Sequence, residues 1–206
     1  MLNTLVFKNI QSARKQVLVV TKYLDRENTL NIISNIEASF PDEFYGIWEN
    51  RIEVIREKKL PRELVHFIGN IQSQKIAAII ERCSVIHSLA SIKHAMKIES
   101  QGENISVFIQ IQLDANKSIG VPETELSGFL EACKDMKYLK VIGLSGMGSS
   151  IFDEREKREE FQKLVCLRDR YIPDGIISAG TSRDYELAIE EWINIVRIGK
   201  KILTEG

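Results

Sequence analysis

The chain has 206 residues, enough for one sizeable hydrophobic core and short for two domains of ordinary size, so residues 1–206 are expected to form one domain. A formal net charge of -1, with 44% hydrophobic and 28% charged residues and only 4 Pro and 12 Gly, excludes a disordered or fibrous chain. The same balance gives no bulk electrostatic reason for nucleic acid or an anionic membrane as partner, so any anion must be held locally.

From the N-terminus onward, short runs rich in Val and Ile alternate with longer amphipathic stretches. The runs predict strands at Gln16–Tyr23, Glu43–Trp48, Leu64–Gly69, Ser84–Leu89, Ile105–Leu113, Leu139–Met147, Gly175–Gly180 and Asn194–Gly199. Of the helices predicted between them, Glu123–Met136 and Asp153–Tyr171 are the clearest. The second opens with DEREKREE, acids in the first turn where the helix dipole favours them. Runs such as VLVV are apolar on consecutive residues, as expected of parallel strands covered on both faces. A doubly wound open sheet would use the same units, but eight strands with compact loops favour an α/β chain closed into a (β/α)8 TIM barrel.

Cys83, Cys133 and Cys166 are widely spaced, with no CxxC pair and no nearby His cluster, which argues against a zinc site and a disulfide framework. No segment approaches about 18 consecutive apolar residues, and MLNTLVFKNIQSARKQ lacks a signal-peptide core. A cytoplasmic protein without metal or membrane is expected.

In parallel α/β proteins the ligand lies at the carboxyl ends of the strands. The first strand delivers Lys22, the second Glu49 and Asn50, the third His66 and Gly69, the fourth His87 and Ser88. The seventh exits through Ser178-Ala179-Gly180-Thr181-Ser182 and opens a helix at Arg183-Asp184-Tyr185. Small residues there let backbone approach an anion, hydroxyls donate to its oxygens, and the free amides of the next helix point at it. The eighth strand adds Arg197 and Gly199.

Taken singly, each feature has a plainer explanation. Ser and Thr before a helix commonly cap it, a lysine after a strand usually sits in solvent, and histidines without carboxylate partners are more often satisfied core residues than ligands. Their joint placement at one barrel mouth is what points to chemistry. A lysine facing a phosphate cradle suits a phosphorylated aldehyde held as a Schiff base, and desolvation with a nearby cation such as Arg197 would favour the neutral amine that reaction needs.

With those residues in view, the chain resembles the pyridoxal phosphate homeostasis proteins, relatives of the alanine racemase N-terminal barrel, the fold-type III arrangement for this cofactor. VLVVTKY looks like the family's first strand and puts the Schiff-base lysine on Lys22; Trp48-Glu49-Asn50-Arg51 is similar to its Gly-Glu-Asn segment and places Asn50 beside the cofactor. The most specific stretch runs from His66 to Lys75, HFIGNIQSQK, and Ile86-His87-Ser88-Leu89 matches the fourth-strand exit. Ser178 to Ser182 resembles the family's Ser-Met-Gly-Met-Ser phosphate loop, and Val196-Arg197-Ile198-Gly199 its closing strand. The resemblance implies pyridoxal 5′-phosphate on Lys22, with Ser178, Ser182 and the backbone around Thr181 and Gly199 on the phosphate and Arg197 near the phosphate or ring nitrogen.

The chain also departs from that pattern. Trp48 stands where the family has glycine, Val65 and Gln74 replace residues that are usually aromatic and Asn, and Asn116-Lys117-Ser118-Ile119-Gly120 is one residue longer than the usual turn. The leader before the first strand is short, so the customary N-terminal helix is expected to be reduced or missing.

The implied role is a monomeric cofactor carrier and regulator of vitamin B6 supply, with apoenzymes as recipients. Racemisation needs acid/base groups on both faces of the substrate carbanion, and no residues remain here for the second domain that supplies one in related racemases. The alternatives are a weak racemase or lyase using Lys22 as sole base, a barrel binding a simple phosphate ester, and an interaction scaffold.

Overall fold

Eight strands, β1 (Gln16–Val20), β2 (Phe44–Glu49), β3 (Val65–Phe67), β4 (Val85–Leu89), β5 (Ile105–Ile111), β6 (Leu139–Gly146), β7 (Ile176–Thr181) and β8 (Ile195–Ile198), pair in parallel in chain order, and β8 returns to β1. The result is a closed (β/α)8 barrel. The structure, a computed structural model, describes residues 2–114, 119–148 and 152–203. Every strand lies inside its predicted run or within one residue of it, because strands buried on both faces announce themselves as unbroken apolar runs. The helices on the outside are α1 (Thr4–Ser12), α2 (Arg26–Ser39), α3 (Ile52–Lys58), α4 (Ile76–Arg82), α5 (Ile92–Glu99), α6 (Glu123–Cys133), α7 (Glu154–Tyr171), α8 (Tyr185–Glu190) and α9 (Lys200–Leu203).

Local chemistry sets the ends of these elements. Asp25 caps α2 by accepting from the Asn28 amide at 2.8 Å, and Asp153 caps α7 by accepting from the Glu156 amide at 2.9 Å. Glu154 and Glu156 then sit at the positive end of α7, with Arg168 and Arg170 at its negative end. Strand β1 stops at Val20 rather than Tyr23 because the Leu24 amide donates back to the Thr21 carbonyl at 2.8 Å, which turns the chain and leaves Lys22 at the corner. Of the N-terminal helix, expected to be reduced or missing, nine residues form α1, and Val6 and Phe7 are buried with Ile10 four and three residues on.

Two apolar layers follow from the strand alternation. One contains the outward strand residues and the helix faces, including Phe7, Ile36, Ile79, Leu126, Leu164 and Ala188. The other, Leu18, Trp48, Ile68, Val85, Phe108 and Ile195, contains no helical residue and fills the barrel interior. At about 25 cal/mol per Å² of apolar area removed from water, these layers dominate the stability. Among the described residues no helix is long and apolar enough to cross a membrane, and no group of three or more His, Cys, Asp or Glu side chains is placed to hold a metal ion.

Candidate functional site at the barrel mouth

Lys22 leaves the corner after β1 half-buried, with its Nζ 4.9 Å from the centroid of the Tyr23 ring and 5.3 Å from that of Trp48. It makes no ion pair with the described residues. An amine that no carboxylate holds is sterically free to meet an electrophile.

The backbone that carries Lys22 is clamped from behind. Lys58, from the last turn of α3, is buried and donates to the Glu49 carboxylate at 2.5 Å and to the Thr21 carbonyl at 2.7 Å. Thr21 returns its hydroxyl to the same Glu49 oxygen at 2.7 Å, while Glu49 Oε2 is buried with no hydrogen-bond partner among the described residues. Glu49 was legible as a strand-exit residue, but Lys58 was not. It sits in the run Arg56-Glu57-Lys58-Lys59, whose composition reads as a solvated helix end.

Asn50 follows directly, half-buried, and packs against the β3 exit because Gly69 has no side chain: a Cβ there would overlap the Asn50 carbonyl oxygen. Ser88 fixes the same corner by donating from its hydroxyl to the Gly69 carbonyl at 2.7 Å. The exits of β2, β3 and β4 are thus one connected wall beside Lys22.

Inside the barrel, His66 Nδ1 lies 2.9 Å from His87 Nε2, and His87 Nδ1 lies 3.0 Å from the Ser178 hydroxyl. One proton arrangement satisfies the chain, with Ser178 donating to His87 and His87 to His66. Both histidines are therefore held neutral. Burial pulls His66 down to about 3, against a hydrogen bond to the Tyr45 backbone that works the other way; burial also pulls His87 well below its ordinary value, with His66 and Arg197 adding to the effect. Ser178, expected on the phosphate, instead has its hydroxyl in this interior chain and is fully buried. Strand alternation points it inward, one layer beneath the mouth.

The segment after β7, expected to cradle a phosphate, is a tight turn whose donors are held by side chains. Gly180 has φ +79°, a conformation that L side chains rarely adopt, so the chain turns sharply there. The Thr181 amide and hydroxyl both donate to Asp184 Oδ1, at 2.6 and 2.8 Å, and the Gly199 amide donates to the Ser182 hydroxyl at 3.2 Å. Two backbone amides, of Thr181 and Gly199, thus face side-chain oxygens rather than backbone carbonyls, and a ligand oxygen can replace those acceptors without breaking secondary structure. Helix α8 has only six residues, so the expected contribution of its dipole is small and the cradle rests on loop amides and hydroxyls.

Arg197 is buried and anchored by donating to the Gly146 carbonyl at 2.7 Å and the Gly180 carbonyl at 3.4 Å, with its guanidinium carbon 5.7 Å from the Trp48 ring centroid. Burial lowers it to about 10, with Asp184 acting in the opposite direction, so it stays cationic at neutral pH. A cavity of about 450 Å³ opens beside it, lined by Gly180, Thr181, Asp184, Met147, Phe152 and Phe161 among others. The volume is within the range of small-molecule sites. The lengthened turn at residues 116–120 lies for the most part outside the described residues.

The family model for the alanine racemase N-terminal domain matches residues 11–203. A pyridoxal phosphate homeostasis protein of Helicobacter pylori is 33% identical over 169 residues, 76% of this chain and 76% of that one. One from Vibrio alginolyticus is 28% identical over 198 residues, 91% of this chain and 84% of its own. Among solved structures, PipY of Synechococcus elongatus with PLP bound aligns with a TM-score of 0.76 at 20% identity, over 97% of this chain and 100% of that one. At that identity the likeness is one of fold.

Proposed function

The chain belongs to the alanine racemase N-terminal domain family, and within it to the pyridoxal phosphate homeostasis proteins; from that premise we propose that it holds pyridoxal 5′-phosphate on Lys22 and serves intracellular vitamin B6 homeostasis rather than turnover. The observation that carries this reading is the convergence at one barrel mouth of Lys22, free of any ion pair with the described residues, and the Thr181 and Gly199 amides, whose acceptors are exchangeable side-chain oxygens. When bound, the cofactor supplies an electrophilic aldehyde carbon for a neutral primary amine.

The residues divide the work. Lys22 holds the aldehyde end, and Asn50, Gly69 and Ser88 build the wall beside it. Ser182, Thr181 and Gly199 receive the phosphate, with Arg197 facing the ring from the neighbouring strand β8. His66, His87 and Ser178 brace the barrel from beneath. Their mutual hydrogen bonds also support a role without turnover: the two histidines that could act as a second proton-transfer group are buried, neutral and committed to each other. The reading extends to a cytoplasmic, monomeric carrier that passes the cofactor to apoenzymes.

Adding pyridoxal phosphate to the purified protein is expected to produce a visible absorbance band that Lys22→Ala lacks; no band with the unmodified protein would contradict the proposal. Ser182→Ala removes the hydroxyl that meets the Gly199 amide. One neutral hydrogen bond is worth about 1 kcal/mol, so cofactor retention on dialysis should weaken by roughly five- to tenfold with unchanged thermal unfolding. Unchanged retention would take Ser182 out of the cradle.

A further inference from the structure

Two cations from neighbouring strands converge on one aromatic ring. Lys22 Nζ after β1 and the Arg197 guanidinium on β8 lie 5.3 and 5.7 Å from the centroid of Trp48, both within the range of cation–π attraction. The indole is not free to swing away. Its Nε1–H donates to the Ile68 carbonyl at 3.1 Å, its body packs in the interior layer with Leu18, Val85, Phe108 and Ile195, and only 8% of the residue is exposed. Moving it would leave a buried donor unpaired and open a cavity in the barrel.

Lys22 and Arg197 thus share one fixed, flat, electron-rich neighbour. We propose that Trp48 is a specificity-determining residue: its indole is the floor on which a planar aromatic ring rests between Lys22 and Arg197, so the site selects a phosphorylated aromatic aldehyde over an aliphatic one. A flat ring gains offset stacking against the indole, whereas an aliphatic aldehyde of the same charge reaches the same lysine and cradle without that stacking. The inference rests on Lys22 as the reactive amine and adds a selectivity which that assignment does not contain.

The test uses Trp192→Phe as background, since Trp192 is the other tryptophan and is 71% exposed. In that background, Trp48→Leu and Trp48→Phe are compared with the parent by borohydride trapping at graded concentrations of pyridoxal phosphate and of glycolaldehyde phosphate, with the modified lysine identified by mass. Trp48→Leu is expected to need about tenfold more pyridoxal phosphate for half-trapping, while glycolaldehyde phosphate is unchanged within about twofold and Trp48→Phe stays close to the parent. Equal or tighter pyridoxal phosphate trapping by Trp48→Leu would overturn the inference alone. No trapping of Lys22 in the parent by either aldehyde would overturn the assignment it rests on. Because the leucine variant removes a large buried side chain, the parent carries its own readout: Trp48 emission should be strongly quenched by pyridoxal phosphate, and unchanged emission would overturn the inference without any variant at position 48.

Discussion

Lys58→Met is expected to destabilise the fold by about 3–5 kcal/mol, the usual cost of removing one partner of a buried ion pair. The methionine keeps the length and apolar body of the lysine, so the loss comes from the charge. Glu49 would keep only the Thr21 hydroxyl, with Oε2 already lacking a partner and the residue 1% exposed. The Thr21 carbonyl, one residue before Lys22, would also lose its donor. Glu49→Gln combined with Lys58→Met removes both charges and should recover much of the stability, because replacing a buried pair outright is often close to neutral. Urea unfolding of the parent and the two variants decides the matter, and a Lys58→Met protein within about 1 kcal/mol of the parent would show that the pair does not hold the β1 corner.

The second large effect is in acid. His66 and His87 both have folded-state values below their ordinary one of 6.5, His66 near 3, because burial disfavours the cation, with His66 and Arg197 adding to the effect at His87. Below 6.5 the unfolded chain takes up protons at these positions and the folded chain does not. Their stabilising contribution is thus complete above 6.5 and is lost as pH falls toward 3. Each histidine adds a slope of about 1.4 kcal/mol per pH unit, so acidification from neutral to about pH 4.5, before most carboxylates titrate, should remove up to about 5 kcal/mol. Denaturant midpoints measured across that window should fall steeply, and His66→Asn should flatten the fall by about half. A flat profile between pH 7 and about 4.5 would mean that the interior chain is already protonated or open to water.

The barrel could be read from the sequence because its strands are covered on both faces and so appear as eight unbroken Val- and Ile-rich runs. The strand-end residues followed from the same pattern, since a polar side chain after such a run stands at the mouth. What alternation placed and the runs did not reveal is depth. Ser178 and Ser182 belong to one motif and carry the same hydroxyl, yet one points into the barrel at His87 and the other meets the Gly199 amide at the rim. Lys58 was hidden for a different reason. Its partners Glu49 and Thr21 lie 9 and 37 residues away in the chain, and they become neighbours only when β1 and β2 pair and α3 folds back over them. Trp48 was visible as an unusual residue, but its contacts with both Lys22 and Arg197 depend on closure of β8 against β1.

The central claim is that Lys22, of all the lysines in the chain, is the amine that holds the cofactor. Incubating the protein with pyridoxal phosphate, reducing with borohydride and mapping the modified peptide tests it directly. One modified lysine is expected, at Lys22 in the segment VLVVTKY, at stoichiometric cofactor. Modification centred on another lysine, or none above the level of the unfolded chain, would contradict it.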